Sequence, residues 1–195
     1  MKFILASSSP RRRELLTMIG LDFEVIPSHV PEIHQPGEAP EEYVARLSRD
    51  KANAVASEHP ERWVIAADTT VFYGEQLLEK PTDPADAERM LAIIAGRTHI
   101  VYTGVTLVNA SRGWRETRVT ESEVRMLPMS GSDIAWYVRT GEPLDKAGAY
   151  AVQGVGSMFI ESVHGNYTNV VGLPLATLFQ MLRKAGVDPL TRSEP

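Results

Sequence analysis

The 195-residue sequence predicts an α/β fold, and three observations carry that reading. Apolar residues at helical spacing alternate along most of the chain with short strand-like runs. Helix starts carry cap chemistry, and several helix ends fall at a glycine. From Arg97 to Met126 the pattern changes to two long β-rich arms around Ala110 to Gly113, which predicts an extended hairpin.

Taken in order, Lys2 to Ala6 reads as a short buried strand. Ser9 then serves as N-cap and Pro10 as the first helical residue, with Leu15, Leu16 and Ile19 on one apolar face until Gly20 stops the helix. Arg11, Arg12 and Arg13 therefore lie on its first turn. Asp22 to Pro27 is expected as a second strand, followed by a Pro-rich polar loop through His29, Pro31, Pro36 and Gly37. Pro40 to His59 reads as a helix with Tyr43, Val44, Leu47 and Val55 inward. Trp63 to Tyr73 is a strand whose apolar run is interrupted by Asp68, Thr69 and Thr70. Asp83 and Pro84 cap a helix bearing Met90, Leu91 and Ile94, ended by Gly96.

The second hairpin arm, Thr117 to Val124, is largely polar on both faces, so it is expected as a partly exposed strand or a dimer edge. Ser130 to Gly141 reads as a short helix with Ile134, Tyr137 and Val138 inward. Tyr150 to Gln153 and Met158 to Val163 are expected as strands, and Leu175 to Lys184 as an amphipathic helix opened by Pro174. Residues 1–190 are expected to form one domain and 191–195 a loose tail.

Composition narrows the function classes. A chain of this length with 43% hydrophobic and 23% charged residues can bury about 70% of its unfolded surface. A formal net charge of -5 gives no whole-molecule attraction to nucleic acid or anionic membrane, so any anion must be met by local charge. There is no cysteine, which removes disulfides, thiolate metal sites and thiol nucleophiles and fits a reducing, cytoplasmic setting. The apolar run behind Lys2 is too short for a signal peptide and leads straight into three arginines. No stretch approaches a membrane span.

A strand, a hydroxyl-rich turn and a helix N-terminus form an arrangement that binds phosphate. The helix dipole contributes about 0.3–1 kcal/mol, whereas a guanidinium in contact with a surface phosphate gains about 4 kcal/mol at an effective dielectric of 20. The arginines would thus set affinity. Helical residues point about 100° apart, so not all three can face one ligand. Set against this is the plainer reading of a solvated arginine run. In VIAADTTV, Asp68 ends a buried apolar run, where it is costly without a purpose; it suits a Mg²⁺ ligand or a general base for water, or else a turn cap with Thr69 and Thr70. The aspartyl-phosphate pattern wants a second acid where Thr70 stands.

These residues resemble the Maf-like nucleotide pyrophosphatases. The resemblance rests on ASSSPRR (Ala6 to Arg12), Lys51-Ala52, ADTTV (Ala66 to Val71), Lys80-Pro81, GRTHIVYTGV (Gly96 to Val105), DKAGAYAVQG (Asp145 to Gly154) and VVGLP (Val170 to Pro174), in that order over nearly the whole chain. It implies a long, twisted mixed sheet flanked by helices, with two lobes around a central cleft in a Maf/ITPase-like architecture, and a homodimer. It also implies hydrolysis of nucleoside triphosphates to monophosphate and pyrophosphate with Mg²⁺ or Mn²⁺. Asp68 matches the catalytic acid that activates water. Ser8, Arg12, Arg13, Lys51 and Lys80 match positions lining the phosphate end, and Asp68 with Glu32 the metal side.

Arg12, Thr69 and Gln153 match positions that sort the family by base, and here they resemble the dTTP/UTP branch, modified pyrimidine nucleotides included. The branch acting on 7-methyl-GTP carries Glu in place of Gln153. An amide both donates and accepts, as the acceptor–donor–acceptor edge of uracil requires, while a carboxylate only accepts. The sequence departs from the family pattern at Pro31, Glu79 and Thr70. The rival readings are a non-enzymatic regulator of septum formation, the 7-methyl-GTP branch of the same family, and a phosphomonoesterase.

Overall fold

The computed structural model describes residues 2–188; the expected tail at 191–195 lies outside them. Seven strands and six α-helices follow in the order β1 (Phe3–Leu5), α1 (Pro10–Met18), β2 (Phe23–Val25), α2 (Pro40–Glu58), β3 (Val64–Tyr73), β4 (Gln76–Leu78), α3 (Pro84–Ile94), β5 (Thr98–Asn109), β6 (Trp114–Met126), α4 (Gly131–Arg139), β7 (Ile160–Gly165), α5 (Tyr167–Val171) and α6 (Leu175–Lys184). The strands form one mixed sheet in the order β2-β1-β3-β5-β6-β7, with β4 pairing β3. β1 runs parallel to β2 (Phe3 opposite Phe23) and to β3 (Ile4 opposite Val64), while β4 and β7 run antiparallel to their neighbours.

The chain folds as two compact units. One takes the described residues of Met1–Asp68, Thr103–Thr120 and Gly172–Pro195; the other takes Thr69–Tyr102 and Glu121–Val171. Within the first, Ile4, Ala6, Ala52, Val55, Ala56, Val64, Ala66 and Val108 form an apolar core. The small alanines let backbones approach closely. At Gly104 on β5 the approach is closest, since a Cβ there would overlap the Val44 carbonyl of α2. Within the second, Leu78, Leu91, Ile94, Val101, Val124, Met126, Tyr137 and Tyr150 are buried together.

Local chemistry explains most element boundaries. Ser9, Asp83 and Ser130 each cap a helix through the side chain, and Ser130 with Asp133 completes a capping box. α2 lacks a side-chain cap at Ala39 but begins with Pro40 and two acids, Glu41 and Glu42.

β6 is the partly exposed strand expected, half-buried or exposed from Trp114 to Glu121; it lies between β5 and β7, and β7 pairs with it from Ser122 to Met126. Thr177, Gln180 and Lys184 on one face of α6 bond Thr120, Arg118 and Glu116 of its early half. Two expectations need correction. Tyr150 to Gln153 is not a strand. It is irregular backbone between short 3₁₀ turns, with Gly148 at φ 70° and Gly154 at φ 78° breaking extension on both sides. The strand expected from Met158 starts at Ile160 instead, behind the turn Val155–Phe159.

Candidate active site

The short strand β1 delivers the chain into Ser7-Ser8-Ser9 and the first turn of α1. Ser7 is buried, and its hydroxyl accepts hydrogen bonds from the Ser9 amide (3.2 Å) and from Arg12 Nη1 (3.0 Å). Arg12 Nε donates to the Gly172 carbonyl at 2.8 Å. Two donors of the guanidinium are thus fixed by protein oxygens, which sets its orientation. The helical turn separates its neighbours: Arg12 is half-buried while Arg13 is exposed, as is Ser8. Burial lowers the Arg12 pKa from its ordinary value; the negative charges of Asp68 and Glu32 oppose that shift, and Arg11 adds to it.

Lys51 occupies the buried face of α2, 6% exposed, and Asp68 sits on β3, 5% exposed. Lys51 Nζ donates to Asp68 Oδ1 at 2.5 Å and to Glu32 Oε1 at 2.5 Å. One ammonium therefore joins a buried carboxylate to a second whose side chain is 47% exposed. Burial raises the Asp68 pKa above the usual carboxylate range, opposed by the charge and hydrogen bond of Lys51 and by Arg12, while Glu32 adds to the rise. Taking a carboxylate out of water is unfavourable without such partners.

Six of the residues singled out from sequence, Arg12, Lys51, Asp68, Glu32, Ser8 and Arg13, belong to the first unit. The charges of the first four act on one another directly or through Lys51. Thr69, Lys80 and Gln153 belong to the second unit. Thr69 is half-buried; Lys80 and Gln153 are exposed. Sequence reasoning passed over Ser7 and the Gly172 carbonyl, the groups that orient Arg12. Ser7 ends an unbroken buried run that starts at Phe3, whereas Ser8 is exposed; nothing local announced Gly172, 160 residues away.

A family model for Maf-like protein matches residues 2–185. The chain belongs to that family. Among its relatives, the dTTP/UTP pyrophosphatase of Syntrophus aciditrophicus is 48% identical over 185 residues, covering 95% of this chain and 90% of its own. The dTTP/UTP pyrophosphatase of Koribacter versatilis is 50% identical over 187 residues, covering 96% of each. Among solved structures, the Staphylococcus aureus Ham1 protein matches with a TM-score of 0.51 at 14% identity, over 95% of this chain and 100% of that one. That likeness concerns the fold and agrees with the mixed sheet described above. The helices of this Maf-like protein include none long and apolar enough to cross a membrane among the described residues.

Proposed function

We propose that this Maf-like protein is a nucleoside triphosphate pyrophosphatase that hydrolyses dTTP and UTP, and modified pyrimidine nucleotides of the same edge chemistry, to the monophosphate and pyrophosphate. The observation that carries the reading is the buried Asp68 paired with Lys51, beside an Arg12 whose orientation is fixed. The names borne by relatives about half identical support the same reaction.

In this reading Asp68 takes the proton from the attacking water, and its place at a buried strand position holds it in one orientation. Arg12 and Lys51 balance the charge of the phosphate chain, as preorganised cations do where charge accumulates on a leaving group. Ser8 and Arg13 extend the phosphate end. Thr69, Lys80 and Gln153 are carried over as substrate-binding residues on the family pattern, with Gln153 reading the base edge through its two-way amide.

The donor chemistry of Asp68 and Glu32 suits a divalent cation. Each directs an oxygen at the same ammonium, 2.5 Å away, so two carboxylates already converge on one positive charge. In this reading a Mg²⁺ or Mn²⁺ would be held by these one or two carboxylates, with phosphate oxygens and water completing its shell. Such an ion would neutralise charge on the phosphate oxygens. A cytoplasmic location and pairing of two copies belong to the same reading; sedimentation of the purified protein checks the second.

The direct test incubates pure protein with Mg²⁺ or Mn²⁺ and a panel of triphosphates, identifying both products. Uridine or thymidine monophosphate with pyrophosphate is expected. Orthophosphate release would favour a phosphomonoesterase, and binding without turnover a regulator. Gln153→Glu is expected to lower UTP hydrolysis and raise that of 7-methyl-GTP; unchanged relative rates on the two would discard the base-edge assignment.

A further inference from the structure

Gln153 lies exposed at the tip of an irregular segment with no strand to hold it. What holds the segment is a pair of side chains from outside it. Tyr137, fully buried on α4, donates its hydroxyl hydrogen to Glu142 Oε2 at 2.7 Å and accepts the Ala151 amide at 3.1 Å. Glu142 accepts the Val155 amide on Oε1 at 2.9 Å and the Gly156 amide on Oε2 at 2.7 Å. The backbone is thereby fixed two residues before Gln153 and two and three residues after it. Lys146 Nζ in turn donates to the Glu142 carbonyl at 2.7 Å, tying down the base of the clamp.

The local sequence is shaped to admit this clamp. A Cβ at Gly154 would overlap the Glu142 carboxylate, and one at Gly156 would overlap the Tyr137 hydroxyl. Gly154 also adopts φ 78°, ψ −151°, a conformation open in practice only to glycine. Ala149 takes φ 57°, the one non-glycine residue with positive φ among those described. Such backbone persists only where its surroundings over-determine it. A carboxyl group that accepts two amides and a hydroxyl is a directional anchor.

We infer that Glu142, acting with Tyr137, is a positioning residue that fixes the backbone presenting Gln153 and so sets the discrimination between nucleobases. This rests on the proposed reading of Gln153. Neither side chain needs to touch the substrate. A Glu142→Gln change keeps the shape but replaces one accepting oxygen by a donor that faces the amides it should receive.

The test compares kcat/KM for UTP and CTP, which differ at the base edge, in the wild type, Glu142→Gln, Tyr137→Phe, Gln153→Ala and the two double variants with Gln153→Ala. Hydrogen exchange of the Val155 and Gly156 amides is followed in parallel. Expected is a loss of about tenfold in the UTP-to-CTP ratio for Glu142→Gln, mainly through KM for UTP, with faster exchange at both amides. Tyr137→Phe, which leaves the carboxylate in place, should move the ratio the same way but less. In the Gln153→Ala background neither change should alter the ratio further. If Glu142→Gln speeds exchange while the ratio stays put, or if it lowers the ratio as much without Gln153 as with it, the positioning role is overturned. A wild-type ratio in Gln153→Ala alone removes the base-reading role of Gln153 and the inference with it.

Discussion

In the first unit Asp68 and Lys51 are almost wholly out of water and hold opposite charges 2.5 Å apart. In the second, His99 is 1% exposed and bonds the Tyr150 hydroxyl at 2.8 Å, and there the charge has been given up. Burial alone pushes the His99 pKa down to about 4, with no acid to restore it. The same desolvation acts at both places, but only the first supplies compensating partners. A buried group kept charged by neighbours is poised for an ionic ligand; one left neutral serves packing.

The contrast can be broken first at Asp68. Asp68→Asn keeps the volume and removes the base, so turnover should fall about 10²–10⁴-fold with the fold retained. Near-normal turnover in a well-folded variant would refute the role. Lys51→Met tests whether the charge needs its partner. It leaves Asp68 buried without its cation, and urea unfolding should show a loss of about 3 kcal/mol, together with impaired turnover.

The neutral site gives a pH signature of definite sign. The unfolded chain binds a proton at His99 below pH about 6.5, the native state only below about 4, so the unfolded state is favoured as pH falls through that window. Stability from this group is complete above about 6.5 and declines by about 3 kcal/mol on the way to 4. Thermal unfolding of His99→Gln between those values should show a flatter pH dependence than the wild type. The smallest effect is expected for Arg12→Lys, which keeps the charge but cannot reproduce the paired bonds to Ser7 and Gly172; KM should rise about tenfold with kcat little changed. A larger fall in kcat would give Arg12 a part in the chemical step.

Features that depend on neighbours in sequence were readable from it. Ser9-Pro10, Asp83-Pro84 and Ser130 announce helix starts because cap bonds span three residues, and the turn at Ala110 to Gly113 joins its two arms as expected. Asp68 and Arg12 stood out because each breaks a local rule: an acid in a buried run, and cations at the end of a helix that favours anions. The coupling of Lys51 to Asp68 and Glu32 was not readable in the same way. Lys51 falls on the inward face already expected from Leu47 and Val55, one turn to either side, but nothing local shows that the strand carrying Asp68 and the loop carrying Glu32 meet it there. The strand expected at Tyr150 to Gln153 failed for a related reason. Apolar residues and an aromatic suggested extension, but the flanking amides are claimed by Glu142, a side chain 13 and 14 residues away. The three-residue β4 escaped notice because it is created by its partner β3 across the Gly74 turn.

The meeting of β5 and α2 at Gly104 reaches beyond packing. Anything bulkier than hydrogen there would push against the Val44 carbonyl, seven residues before Lys51 on the same rigid rod. A methyl group added to a strand with no reactive atom would thus tilt the ammonium's mounting. In a survey of inactivating substitutions, position 104 would score as though it took part in the reaction, when its contribution is to leave room.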